Sequence, residues 1–83
     1  MREVSLTNIP VGTRAIVKEL LTIGSIRRRL QDIGLIEGAE VECLYKSPPG
    51  DPIAYQIRGA VIALRIEEVE KIIVESCEIN AGK

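Results

Sequence analysis

The 83-residue sequence has no histidine, no phenylalanine and no tryptophan. Without histidine the chain lacks the commonest general base and the commonest side-chain metal ligand. Tyr45 and Tyr55 are the only aromatics, so the stacking platforms that single-stranded nucleic acid needs are missing. A surplus of one charge is missing too: 11 Lys and Arg face 12 Asp and Glu, for a net charge of −1. A polyanion binder carries a basic surplus, so no nucleic-acid partner is expected. No apolar run approaches the ~20 residues of a membrane span, and Met1-Arg2-Glu3-Val4-Ser5 shows no signal-peptide core. The expectation is a cytoplasmic protein without direct membrane insertion. Cys43 and Cys77 are too few for a disulfide framework and too far apart for a metal-spaced pair, which suits a reducing cytosol. Cys43, set in a strand pattern beside Val41, reads as a buried free thiol.

What the chain does have is aliphatic. Ile, Val and Leu must supply the core of a domain this small, and the β-branched ones favour strands. Pro10 and Gly12 mark a turn before a first strand over Thr13 to Leu20, with Ala15 and Val17 on one face and Arg14 and Lys18 on the other. Val41, Cys43 and Tyr45 share one face of a second strand, and Ile53, Tyr55 and Ile57 one face of a third. Pro48, Pro49 and Pro52 place a loop between them. Arg58-Gly59 turns the chain into a fourth strand, Ala60 to Ile66, with Ile62, Leu64 and Ile66 facing together. Glu67 to Lys71 reads as one helical turn and Ile72 to Glu75 as a last strand. Residues 1–76 form one domain, and 77–83 read as a frayed tail. Between the first two strands sits one helix, N-capped by Ser25. Ile26, Leu30 and Ile33 form its apolar face, and Gly34 ends it, with Leu35 placed for the accompanying apolar contact. Five short strands with one inserted helix predict a mainly β, small, partly open barrel.

No phosphate-cradling glycine loop and no nucleophile elbow is present, and the chain is not read as an enzyme. Glu67, Glu68 and Glu70 read as a solvated helical face or, alternatively, as a carboxylate cluster for a hard cation. Arg27, Arg28 and Arg29 cannot form one patch, because successive helical residues point about 100° apart. Arg28 stands i,i+4 to Asp32, a surface pair worth about 0.3–0.5 kcal/mol. The other arginines are free either for the fold or for carboxylates of a partner. The Leu20-Leu21-Thr22-Ile23-Gly24 segment is richer in apolar side chains than a connection needs. Either Leu20 and Ile23 cap the barrel, or the segment is an exposed patch marking a protein contact.

The chain resembles the FeoA family of bacterial ferrous-iron uptake. The resemblance rests on Arg28-Arg29-Leu30-x-Asp32-x-Gly34-Leu35-x-x-Gly38, Pro49-Gly50-Asp51-Pro52, Gly59-x-x-x-Ala63-Leu64-Arg65 and Ile72-x-Val74, in that order. It implies an SH3-like five-stranded barrel with the inserted helix. It also implies a small accessory protein that regulates, or assembles with, the cytoplasmic part of the FeoB ferrous-iron transporter. Leu21, Ile23, Arg27 and Arg28 are the expected partner-binding residues. The alternative is a transition-metal-binding regulatory domain, like the C-terminal SH3-like domain of iron-dependent repressors. No catalytic, cofactor or metal residue is assigned, and any transition-metal binding is expected to be weak. Self-association into a homo-oligomer through a barrel edge is a third reading.

Overall fold

The computed structural model describes residues 3–76; the expected tail, with Cys77, lies outside them. Six strands form one antiparallel sheet: β1 (Glu3–Ser5), β2 (Arg14–Leu20), β3 (Glu40–Lys46), β4 (Ile53–Ile57), β5 (Ala60–Leu64) and β6 (Ile72–Ser76). Their order is β1-β6-β2-β3-β4-β5. Helix α1 (Gly24–Asp32) joins β2 to β3, and the single turn α2 (Ile66–Val69) joins β5 to β6. The mainly β class with one inserted helix is as the sequence implies. One further strand, β1, was not expected from the sequence. It is three residues long, too short to show a period, and exists through its pairing of Val4 with Val74 on β6.

The core lies inside the curled sheet. Every strand but the short β1 contributes a fully buried side chain, among them Val17, Val41, Tyr55, Leu64 and Val74. Tyr55 is completely buried, and its hydroxyl donates to the carbonyl oxygen of Leu6 at 3.3 Å. Burial pushes the Tyr55 phenol far above its usual range, because the phenolate would lose its hydration. Cys43, opposite Tyr55, is buried and free, as expected, and burial likewise raises its thiol.

Tyr45 departs from the expected face. The β3–β4 register shifts between Cys43 and Tyr45, and such a bulge re-aims every side chain beyond it. Tyr45 is therefore exposed rather than buried with Val41 and Cys43. The fourth strand also ends earlier than expected. Ile66 opens α2 instead of continuing β5, because Asp51 Oδ1 accepts from the Ile66 amide at 3.0 Å. The Pro-Gly-Asp-Pro loop thus caps a helix start fifteen residues away. Arg65 lies 3.9 Å from the same carboxylate.

Helix α1 ends as its sequence dictates. Gly34 has φ +111°. Its amide bonds to the Gln31 carbonyl at 3.0 Å, and the Leu35 amide to the Leu30 carbonyl at 3.0 Å, the paired closure of a Schellman ending. Leu35 follows into the core. The beginning differs from expectation. The helix starts at Gly24, its cap is Ile23, and no side chain caps it. Gly24 enters with φ +71°, which places Ser25 inside the first turn and out of capping position.

Candidate functional site

Helix α1 is held down at its C-terminal half. Leu30 is fully buried and Ile33 packs partly against the core. Ile26, expected on the same buried face, is 44% exposed. It lies in the first turn of the helix, one turn before Leu30. Ile23 is 84% exposed and Leu21 is 50% exposed. Of the two residues expected to cap the barrel, only Leu20 does so.

The exposed segment is positioned by its backbone. Leu20 pairs with Ile72 on β6, and the Leu21 amide donates to the Lys71 carbonyl at 2.9 Å. Thr22, between the two exposed residues, is buried, and its hydroxyl has no partner among the described residues. Leaving a buried hydroxyl unpaired costs on the order of 1–3 kcal/mol. The connection therefore holds two apolar side chains outward around a polar one turned inward.

Ile26 and Arg27 lie in the first turn of α1, after the extended Ile23, and both are exposed. The structure leaves Ile23 and Arg27 both exposed, four residues apart at the start of α1. It adds Ile26, which the sequence assigned to the core. Arg28 points about 100° away and makes no ion pair with Asp32 among the described residues. Holding two long, exposed side chains in one geometry costs about as much entropy as such a pair returns.

Arg29 behaves differently from both. Its guanidinium donates to Glu68 Oε2 on α2, tying the inserted helix to the turn before β6. The other Glu68 oxygen, Oε1, accepts from the Arg65 amide at 3.0 Å. Glu68 is therefore not part of a solvated face. Burial pushes its carboxyl up, but the Arg65 amide and the Arg29 guanidinium outweigh this and leave it below the usual glutamate range. A depressed carboxyl stabilises the fold above the unfolded pKa, and this contribution is lost as pH falls through the folded one. Acid titration should therefore weaken the α1–α2 tie below pH about 4.3. Wild type should lose more stability than Glu68→Gln between pH 5 and 3 in denaturant melts; equal losses would refute the assignment.

No three His, Cys, Asp or Glu side chains gather into a metal-binding group among the described residues. Cys43 lies in the core with its thiol raised, the opposite of what a thiolate ligand needs. These residues do not fit a built transition-metal centre. Over the outer surface of β2, β3 and β4 an open groove of about 550 Å³ is lined by Arg14, Gly38, Glu42, Gln56 and Arg58, among others. None of the expected partner residues lines it. Among the described residues no helix is long and apolar enough to cross a membrane.

Comparison with known proteins agrees with this architecture. The model of the FeoA domain matches residues 4–76. A fusion of Fe(2+) transport protein A with the Fe(2+) transporter FeoB, from Porphyromonas gingivalis, is 29% identical over 76 residues. That match covers 92% of this chain but 9% of the fusion protein, so the chain spans less than a tenth of that relative's length. The solution structure of FeoA from Chlorobium tepidum superposes with a TM-score of 0.84 at 35% identity, over 94% of this chain and 74% of that one. FeoA of Stenotrophomonas maltophilia, solved in complex with zinc and described as an SH3 domain protein, gives 0.72 at 33% identity, over 86% and 88%. A manganese-dependent transcriptional repressor shares the fold, with a TM-score of 0.80 at 19% identity over 89% of this chain and 41% of that one. The match across residues 4–76, with the sheet order and inserted helix just described, shows that this chain belongs to the FeoA family of ferrous-iron transport and carries its SH3-like fold.

Proposed function

We propose that this chain is a non-enzymatic, cytoplasmic accessory module of ferrous-iron uptake. It docks on the cytoplasmic part of a FeoB-type transporter through Leu21, Ile23 and Arg27, with Arg28 at the rim. The observation that carries this reading is the exposed Leu21–Ile23–Ile26 stretch, held out by a fixed backbone beside two arginines without ion pairs among the described residues. Apolar side chains flanked by arginine are the composition of a protein-contact surface. A relative in which an FeoA-type segment and FeoB share one chain supports the choice of partner.

The test is calorimetric titration of the chain against the soluble cytoplasmic domain of the transporter. Ile23→Asp with Arg27→Glu should weaken binding at least tenfold, because both changes fall on a desolvated anchor and its charged neighbour. Both side chains are exposed, so the melting temperature should hardly move. Unchanged affinity would remove this surface from the interaction.

The repressor-like alternative, a metal-responsive regulatory domain, draws support from the zinc-bound relative. Zinc or ferrous iron titrated under reducing conditions would favour it if a stoichiometric sub-micromolar site appeared.

A further inference from the structure

We propose that the edge of β5, residues 59–64, which has no strand partner on its outer side among the described residues, is a second docking site. It would accept an extended partner peptide that is apolar in the middle and acidic at both ends. This surface is separate from the Leu21–Arg27 segment and does not depend on it. An edge strand presents a row of unpaired backbone N–H and C=O groups, and folded proteins guard such rows with charge, proline, bulges or brevity. The sheet has two edges. At β1 the edge is guarded: the strand has three residues, begins with Glu3 and runs straight into a 3₁₀ turn, Leu6–Asn8. At β5 it is not. Ala60-Val61-Ile62-Ala63-Leu64 has no charge and no proline, and its register with β4 runs without a shift.

The hairpin geometry fixes which groups face outward. Arg58 and Gly59, at φ +53° and +84°, form a two-residue turn closed by Ile57 and Ala60. Such a turn closes on a hydrogen-bonded pair, and bonded and non-bonded pairs then alternate. Ala60, Ile62 and Leu64 therefore bond back to β4. Val61 and Ala63 turn their N–H and C=O groups to the open side, and both residues are exposed. The far end of the row is shut, because the Arg65 amide is already held by Glu68. What remains is a template of about six residues for strand addition.

Charge decides the occupant. The template runs between Arg58 at the turn, whose stem lies beside Gly34 and which has no ion pair among the described residues, and Arg65, whose only ion pair there is the long one to Asp51. A second copy of β5, laid antiparallel, would set Arg58 of each chain toward the Arg65 end of the other. Like charges meeting there oppose that pairing. A strand with carboxylates at both ends satisfies both arginines.

The probe is a synthetic nonapeptide, Asp-Glu-Val-Thr-Val-Thr-Val-Glu-Asp, and its control carries lysine at the four acidic positions. Each is titrated into the full isotope-labelled chain and followed by amide shifts and hydrogen exchange. The acidic peptide should shift amides 59–65 and slow exchange at Val61 and Ala63. The lysine control should bind at least about fivefold more weakly, the worth of two exposed ion pairs. Ala63→Pro should abolish binding, since the ring removes an outward N–H and leaves the β4 ladder intact. Val61→Glu, an exposed change, should repel the acidic peptide and keeps the test alive if the proline variant fails to fold. Equal binding of both peptides, shifts elsewhere on the molecule, or undiminished binding by folded variants would overturn the proposal. So would a dimer that Ala63→Pro dissolves, since it would assign the edge to a second copy.

Discussion

Gly34→Ala is expected to lower the unfolding free energy by about 2–3 kcal/mol, from two causes that add. The first is the backbone. At φ +111° an L side chain is strained, at a cost of about 1–2 kcal/mol. The second is space. A Cβ at Gly34 would lie 2.5 Å from Arg58 Cδ and 3.1 Å from Ile57 Cγ2. The exposed Arg58 side chain can swing aside, but the buried Ile57 must give by a few tenths of an ångström, a further cost of about 1 kcal/mol. For a domain of this size the midpoint of thermal unfolding should fall by roughly 15 °C. Gly12→Ala separates the causes. Gly12 has φ +90° but open space around its Cβ position, so this variant should suffer the backbone strain alone. Equal losses in the two variants would show that close packing against Arg58 and Ile57 contributes nothing.

Leu30→Ala should cost a similar amount, about 3 kcal/mol, through the cavity it leaves. Its consequence is different. Nine residues are too few for a helix to persist alone in water, and Leu30 is the one fully buried side chain on α1. Its loss should free the helix locally, raising hydrogen exchange across residues 24–33 more than across β3 and β4. On the proposed docking surface, transporter binding should fall as well, because Ile26 and Arg27 lie in the first turn of that helix and Ile23 is its cap. The contrast with Ile23→Asp is diagnostic. Under the proposed docking, one variant should lose the partner with its fold intact, the other because the surface is no longer held. Uniform exchange throughout the domain after Leu30→Ala would mean that α1 is not a separately anchored unit.

Much of the fold is legible in residues that answer to local rules. The Gly34 ending needs a glycine, and the intrahelical pattern puts it where helix contacts stop. The Arg58-Gly59 hairpin turn is equally local. Alternation placed Val41, Cys43, Ile53, Tyr55 and Ile57 in the core correctly. The errors fall where a local rule competes with a distant partner. Tyr45 follows the period as far as the bulge, which exists only in the pairing of two strands. Ile66 reads as a strand residue until Asp51 takes its amide. The candidate site was half legible. An apolar excess in Leu21–Ile23 beside arginines is a sequence signal, but only packing tells which side chains face out.

The sequence by itself determined the composition of the core, the strand–helix–strand order, the turns that need glycine, and the family. Each depends on neighbours within a few residues, or on a pattern repeated along the chain. Tertiary structure alone decided that Ile26 is surface while Leu30 is core, although both lie on one helical face. It alone paired Arg29 with Glu68 and, among the described residues, left Arg27 and Arg28 without ion pairs and β5 as an open edge. The physical reason is common to these cases. Burial and ion pairing depend on what another element brings within a few ångströms, and helical or strand period carries no record of where the opposite wall of the barrel ends.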